Sequence, residues 1–224
     1  MVPSMLSAIV IALVLPLQAA QLTTAPQSAE DLARRLQAKY EQVRDFTADF
    51  EHAYTGGVLR RKAVERGRVQ VKKPGRMRWI YTSPEKKEFV SDGVKLYSYI
   101  PEDQQVMVSS VPPADEASSP ALFLAGKGDV LRDFTPSFAE VPNLPASQVA
   151  LKLMPKREQA EYDSLILVLD RQSLRIERLI TTDAQGGTSS FTFTNIRENV
   201  GLPDKTFTFT IPRGVDVITD AGKK

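Results

Sequence analysis

The sequence predicts a mainly β protein. One curved antiparallel sheet of about ten or eleven strands forms an open, unclosed β-barrel, covered by an N-terminal helix and a short helical insertion. Three observations carry this. Segments of alternating apolar and polar residues recur at the spacing of a meander. The stretch Lys73 to Val106 reads strand, turn, strand, turn, strand, with Asp92-Gly93 between two of its runs, the strongest short-range hairpin signal. Helical periodicity is confined to two places, one near the start of the chain and one midway.

In chain order, Ser7 to Leu17 is an apolar run of signal-peptide length, too short to span a bilayer comfortably, and Ala19-Ala20 supplies small residues for cleavage. Residues 1–20 are therefore expected to be an export signal, with residues 21–224 as one domain. Retention of that run as a single-span anchor, or a start at Met5, are the alternatives. After a short linker, Ser28 begins a helix with Glu30 and Asp31 in its first turn. Leu32, Leu36, Tyr40 and Val43 line one stripe, which is the pattern of a helix lying on a sheet.

Phe46, Ala48 and Phe50 then alternate with Thr47, Asp49 and Glu51, which predicts a strand. Thr55-Gly56-Gly57 turns, and Val58 to Lys72 is a long polar strand that Gly67 bends or bulges. The meander follows: Met77, Trp79 and Tyr81 alternate with Arg76, Arg78 and Ile80. Phe89-Val90, Leu96 to Ile100 and Gln105 to Val111 continue it. Ala121 to Ala125 is an apolar helical insertion stopped by Gly126, and Val130, Leu131 and Phe134 suggest another turn. Strands resume at Val149 to Leu153, Leu165 to Leu169, Ile176 to Thr182, Phe191 to Thr194 and Phe207 to Ile211. From Leu165 to Leu169 both faces are apolar.

Composition excludes several functions. Lys and Arg number 29 against 27 Asp and Glu, a net charge of +2, so no basic face for nucleic acid is expected. The chain has no cysteine, hence no disulfide, no thiol nucleophile and no lipid-bearing N-terminal cysteine. His52 is the single histidine; on a polar strand it is expected at the surface, and no Gly-x-Ser-x-Gly elbow accompanies it. Acidic residues are not clustered at metal-binding spacing. No catalytic residues, metal or cofactor are expected, and a β-scaffold hydrolase would have to use His52.

The remaining signal is the apolar strand faces. A sheet of this many strands curls, and one helix with one short insertion leaves room for a cavity on its concave side. Such a cavity suits acyl chains, at roughly 0.8 kcal/mol per buried methylene. Three lipid tails would offer tens of kcal/mol, so a carrier needs a lid that moves between states of similar free energy.

Particular residues resemble a known family. Lys73-Pro74-Gly75-Arg76, Arg78-Trp79 with Tyr81 and Pro84, Val90 to Gly93, Leu96-Tyr97, Tyr99 with Pro101, Gln105-Val106, the Pro120 to Gly126 insertion and Phe207 to Val217 together resemble the periplasmic outer-membrane lipoprotein carriers, LolA-like proteins. The resemblance implies a periplasmic, monomeric, non-enzymatic chaperone. It would take acylated lipoproteins from an inner-membrane lipoprotein-releasing transporter to an outer-membrane lipoprotein receptor. By position, Phe46, Phe50, Met77, Trp79, Phe89, Leu96, Phe191 and Phe193 would line the lipid cavity. Leu32, Leu36, Tyr40, Val43, Leu122 and Phe123 would belong to the lid, and Lys73 would be its latch. The family typically has arginine at that last position. Lysine lacks the planar fork of arginine, so the resemblance does not carry over a strongly latched closed state. Few residues follow Val217, so an extra C-terminal element seen in some members is expected to be minimal. A lipid- or lipoprotein-binding sensor of the same fold is the alternative reading. The outer-membrane receptor of this fold is disfavoured because it needs the lipidated cysteine.

Overall fold

A computed structural model describes residues 28–56, 62–111, 124, 126, 129–158 and 162–219. The expected signal segment 1–20, the turn tip at Gly57, the lid residues Leu122 and Phe123, and residues 220–224 lie outside the described residues.

Helix α1 (Ala29–Gln42) starts where expected. The Ser28 hydroxyl accepts a hydrogen bond from the Asp31 amide at 3.1 Å, which satisfies one of the free amides of the first turn. Glu30 and Asp31 lie at the positive end of the helix dipole. Leu32 and Leu36, flanked by Ala29 and Ala33, form the buried stripe. The chain leaves the helix at Val43, itself buried.

Twelve strands follow among the described residues: β1 (Asp45–Thr55), β2 (Lys62–Lys72), β3 (Arg76–Ser83), β4 (Lys87–Asp92), β5 (Lys95–Ile100), β6 (Gln105–Ser110), β7 (Phe134–Phe138), β8 (Gln148–Pro155), β9 (Ser164–Asp170), β10 (Ile176–Thr182), β11 (Thr188–Glu198) and β12 (Asp216–Thr219). A four-residue helix α2 (Val130–Asp133) precedes β7. All the strands join one sheet in the order β12-β6-β5-β4-β3-β2-β1-β11-β10-β9-β8-β7. Its two edges, β12 and β7, are not paired with each other, so the barrel is open. Neighbours are antiparallel except β12, which runs parallel to β6.

The sheet is strongly curved, as its side chains show. Strands β3 and β11 are separated by β2 and β1, a lateral distance of about 14 Å at the usual strand spacing. Yet the rings of Trp79 on β3 and Phe191 on β11 meet at 5.3 Å between centroids. Residues on one face converge like this only on the inside of a curl.

The concave face carries the main core. Leu151, Leu153, Leu165, Leu167 and Leu169 of β8 and β9 join Leu32 and Leu36 of α1 in one apolar cluster. The convex face has a smaller one. Phe207 is buried on that side, where Val90 and Val106 also lie, and Phe209 stacks on Tyr97 at 5.3 Å. Val168 and Ala150 are also buried, in keeping with β9 being apolar on both faces.

The expected strand at Phe207 to Ile211 is corrected by the structure. Asp204–Phe207 is a 3-10 turn, and the residues after it join no ladder. The segment straps across the convex face instead. Arg78 Nη1 donates to the Thr206 carbonyl at 2.8 Å, and Lys72 Nζ donates to the Leu202 carbonyl at 2.7 Å. The alternation of Phe207 and Phe209 with Thr208 and Thr210 therefore reflects packing on the sheet rather than membership of it. Strands β7 and β12 are not anticipated; with them added and the Phe207 segment removed, the sheet has twelve strands among the described residues, against about ten or eleven expected.

Candidate functional site

The eight residues expected to line a lipid cavity share the concave face. Register sets this: Ala48 faces Val69, Val69 faces Trp79, and Trp79 faces Phe89, while Phe50 faces Phe193 and His52 faces Phe191. Met77 pairs with Ser91, and Ser91 with Leu96. Phe46, Phe50, Met77, Trp79 and Phe193 are buried; Phe89, Leu96 and Phe191 pack against them half-buried. Tyr81, not singled out from sequence, joins the same group.

The rings form one contiguous cluster. Phe50 meets Trp79 edge-on at 5.2 Å and Tyr81 at 4.8 Å. Tyr81 meets Phe89 at 5.6 Å. Gly67 makes room for this. A Cβ there would lie 2.1 Å from the Ile80 carbonyl oxygen and 2.7 Å from the Phe50 ring. The ladder between β2 and β3 shifts register at the same place, the bulge that Gly67 suggested. Trp79 Nε1 is buried without a hydrogen-bond partner among the described residues, an arrangement that costs free energy in a finished core.

Helix α1 closes one end of the concave face. Lys73 holds it there: its Nζ donates to the Tyr40 carbonyl and lies 5.0 Å from the centre of the Tyr40 ring. The Lys73 methylenes press on Gly126, where an added Cβ would come within 2.8 Å of them. So one lysine contacts both the helix and the end of the midway insertion, whose Leu124 is buried in the concave core. The contact uses a single donor rather than a fork. Burial pushes the Lys73 amine down from 10.5 to about 8, against the opposing pull of Glu41 and Glu198. Further ties hold α1, among them an Asn199 Nδ2 bond to the Gln42 carbonyl at 3.3 Å. Lys39 pairs with Glu198, the Tyr40 hydroxyl accepts from the Ile176 amide at 3.3 Å, and Gln37 Oε1 accepts from the Val130 amide at 3.2 Å.

A pocket beside Lys73, lined by Leu36, Tyr40, Gly126 and Val130 among others, holds about 130 Å³. Sites for sizeable ligands usually run to several hundred Å³.

The opposite end of the concave face is polar. His52, expected at the surface, is instead 17% exposed in its side chain and stacks flat on Phe191 at 4.0 Å. Its Nδ1 is 3.1 Å from Glu65 Oε2 and its Nε2 is 2.8 Å from Ser189 Oγ. Lys87 Nζ donates to the other Glu65 oxygen at 2.5 Å and sits 4.5 Å from the centre of the Tyr81 ring. A carboxylate only accepts, so Nδ1 carries the imidazole proton and Nε2 accepts from the serine hydroxyl. Burial lowers the His52 pKa, outweighing Glu65, which keeps the ring neutral near pH 7. Burial also pushes Glu65 up, but its bonds to Lys87 and His52 win and its pKa is lowered. Ser189, His52 and Glu65 stand in the order of a proton relay. Ser189 lies within the β11 ladder opposite Tyr54, however, and not on a strand-to-helix elbow.

No described helix is long and apolar enough to cross a membrane, and no group of three or more His, Cys, Asp or Glu among the described residues could hold a metal ion.

Comparison with known proteins gives concordant results. The family model for the outer membrane lipoprotein carrier protein LolA matches residues 41–210. An outer-membrane lipoprotein carrier protein of Chromohalobacter salexigens is 33% identical over 85% of this chain and 88% of its own. One from Methylococcus capsulatus is 30% identical over 90% of this chain and 91% of its own. Among solved structures, an uncharacterized conserved protein from Thermus thermophilus superposes with a TM-score of 0.53 at 12% identity, over 85% of this chain and 98% of that one; it shares the fold.

Proposed function

The chain belongs to the LolA family of outer membrane lipoprotein carrier proteins, and from that premise we propose that it is a periplasmic chaperone that shelters the acyl chains of lipoproteins on its concave face. The observation that carries this reading is the contiguous cluster of aromatic rings from Phe50 and Trp79 to Phe89 and Phe193 on the concave face, part of one apolar core with a helix fixed by polar contacts. Cargo tails take the place of α1 against the concave core. Phe46, Phe50, Met77, Trp79, Phe89, Leu96, Phe191 and Phe193 contact the tails. Leu32, Leu36, Tyr40 and Val43 move with the lid, and Lys73 is its latch.

The work done is binding and release, with no bond made or broken. The closed state matters as much as the open one. When the tails leave, Leu32 and Leu36 return to the same face and recover a similar burial. The apolar surface is thus exchanged between two partners rather than exposed, which keeps release within reach. Delivery from an inner-membrane transporter to an outer-membrane receptor completes the cycle, and residues 1–20 direct the chain to the periplasm.

The test uses the sole tryptophan, Trp79. Titration with a palmitoylated peptide gives a saturable change in its fluorescence, and the same peptide without its acyl chain gives none. If neither peptide produces a saturable change, this reading fails.

A further inference from the structure

Across five neighbouring strands, β4, β3, β2, β1 and β11, the concave face changes from apolar to polar along a diagonal that steps from Lys87 through Glu65 and His52 to Ser189. On β1 the inward residues run Phe46, Ala48, Phe50, then His52; on β11 they run Phe193, Phe191, then Ser189; on the β3–β4 pair Tyr81 faces Lys87. Glu65 of β2 lies opposite His52. The apolar depth lies toward α1 and the polar belt lies at the far end. A surface graded in this way orients an amphiphile, with tails toward the helix and head at the belt.

We propose that Lys87, Glu65, His52 and Ser189 form a recognition site for the carbonyl-bearing junction of an acylated ligand, where ester and amide groups join the tails to the head. The inference rests on the carrier reading above. The inventory of free hydrogen-bonding capacity selects this chemistry. Glu65 uses both oxygens within the cluster, on Lys87 and His52. His52 uses both nitrogens. Lys87 spends one N–H on Glu65 and keeps others to donate. The Ser189 oxygen, whose hydrogen goes to His52, keeps lone pairs to accept an amide N–H. Just inside the belt, the unpartnered Trp79 Nε1 adds one more donor, its ring against Phe191, which stacks on His52. The donors left free, on Lys87 and on Trp79, are what a carbonyl-rich junction requires. Glu65 and His52 fix Lys87 and Ser189 in place beforehand, and the Lys87 side chain, 23% exposed, is dry enough for its bonds to discriminate. An ether-linked ligand with the same tails lacks these carbonyl oxygens and offers the donors only weaker ether acceptors.

The experiment is isothermal titration calorimetry with two probes that share one peptide. One carries two palmitoyl chains through glyceryl esters and the other carries two hexadecyl chains through ethers. The native protein binds the ester probe about tenfold more tightly, the amount expected for hydrogen bonds from a charged donor. Lys87→Met brings the ester-to-ether ratio close to one, and Ser189→Ala, a milder change, lowers it part of the way. A ratio near one in the native protein, or a ratio that Lys87→Met leaves unchanged, overturns the recognition site while the carrier reading stands. Failure of the native protein to bind either probe removes the carrier reading and this inference with it.

Discussion

On the proposed carrier reading, the Lys73 contact with α1 makes closure depend on pH. In the closed state burial holds its pKa at about 8, whereas a lysine released to water titrates at about 10.4. Between those values the closed form binds fewer protons than the open one. Raising the pH through this window therefore stabilises closure, and below about pH 8 the amine is charged in both forms and the dependence fades. A two-state cycle with these pKa values sets an upper bound of a roughly 25-fold fall in the opening constant from pH 7 to about 9.5. The Lys73 side chain keeps part of its surface in solvent, and screening reduces the expected effect to about threefold to tenfold. Trp79, 5% exposed in the closed state, reports opening through acrylamide quenching. Burial holds the Tyr40 and Tyr81 hydroxyls above their ordinary range, so they stay neutral through the titration. Quenching falls as pH rises, and Lys73→Met removes the dependence. A quenching profile that rises with pH, or one that survives in Lys73→Met, refutes the latch.

Other substitutions probe the frame that positions the site. Asp45 is buried, and its carboxylate accepts from the amides of Val200, Gly201 and Leu202; Asp45→Ala strands those donors and lowers unfolding free energy by about 3 kcal/mol in urea titration. Gly67→Ala drives a Cβ against the Ile80 carbonyl and the Phe50 ring, and costs about 3 kcal/mol or more by the same measure. Phe207→Ala empties the buried position beneath the convex strap and costs about 3–5 kcal/mol, while leaving the concave face and its affinity for acylated peptide in place.

The strands of the central meander were legible because their inward positions alternate without interruption. Met77, Trp79 and Tyr81 on β3 form one buried row; alternation reveals such a row, while only the register shows which face it lines. Phe207 and Phe209 misled for a related reason. They alternate because one packs into the convex face and the other stacks on Tyr97, and a strap laid over a sheet repeats with the same period as a strand within it. Strand β7 was hidden by Pro136, which an edge strand tolerates and a central one does not. Strand β12 is exposed throughout and lacks the alternation of a half-buried strand. The polar belt was the least legible part. His52 looked solitary because its partners Glu65 and Ser189 lie 13 and 137 residues away. Only register brings β2 and β11 to either side of β1.

The most direct test of the central claim is native mass spectrometry of the protein, expressed with residues 1–20 in place and purified gently from a periplasmic extract. The account predicts complexes heavier than the bare chain by the mass of an acylated protein, or their formation when acylated peptide is added, with loss of the cargo when the acyl chains are removed by ester hydrolysis. Bare chain alone, both as purified and after incubation with acylated peptide, would mean that the aromatic face is a core and not a carrier site.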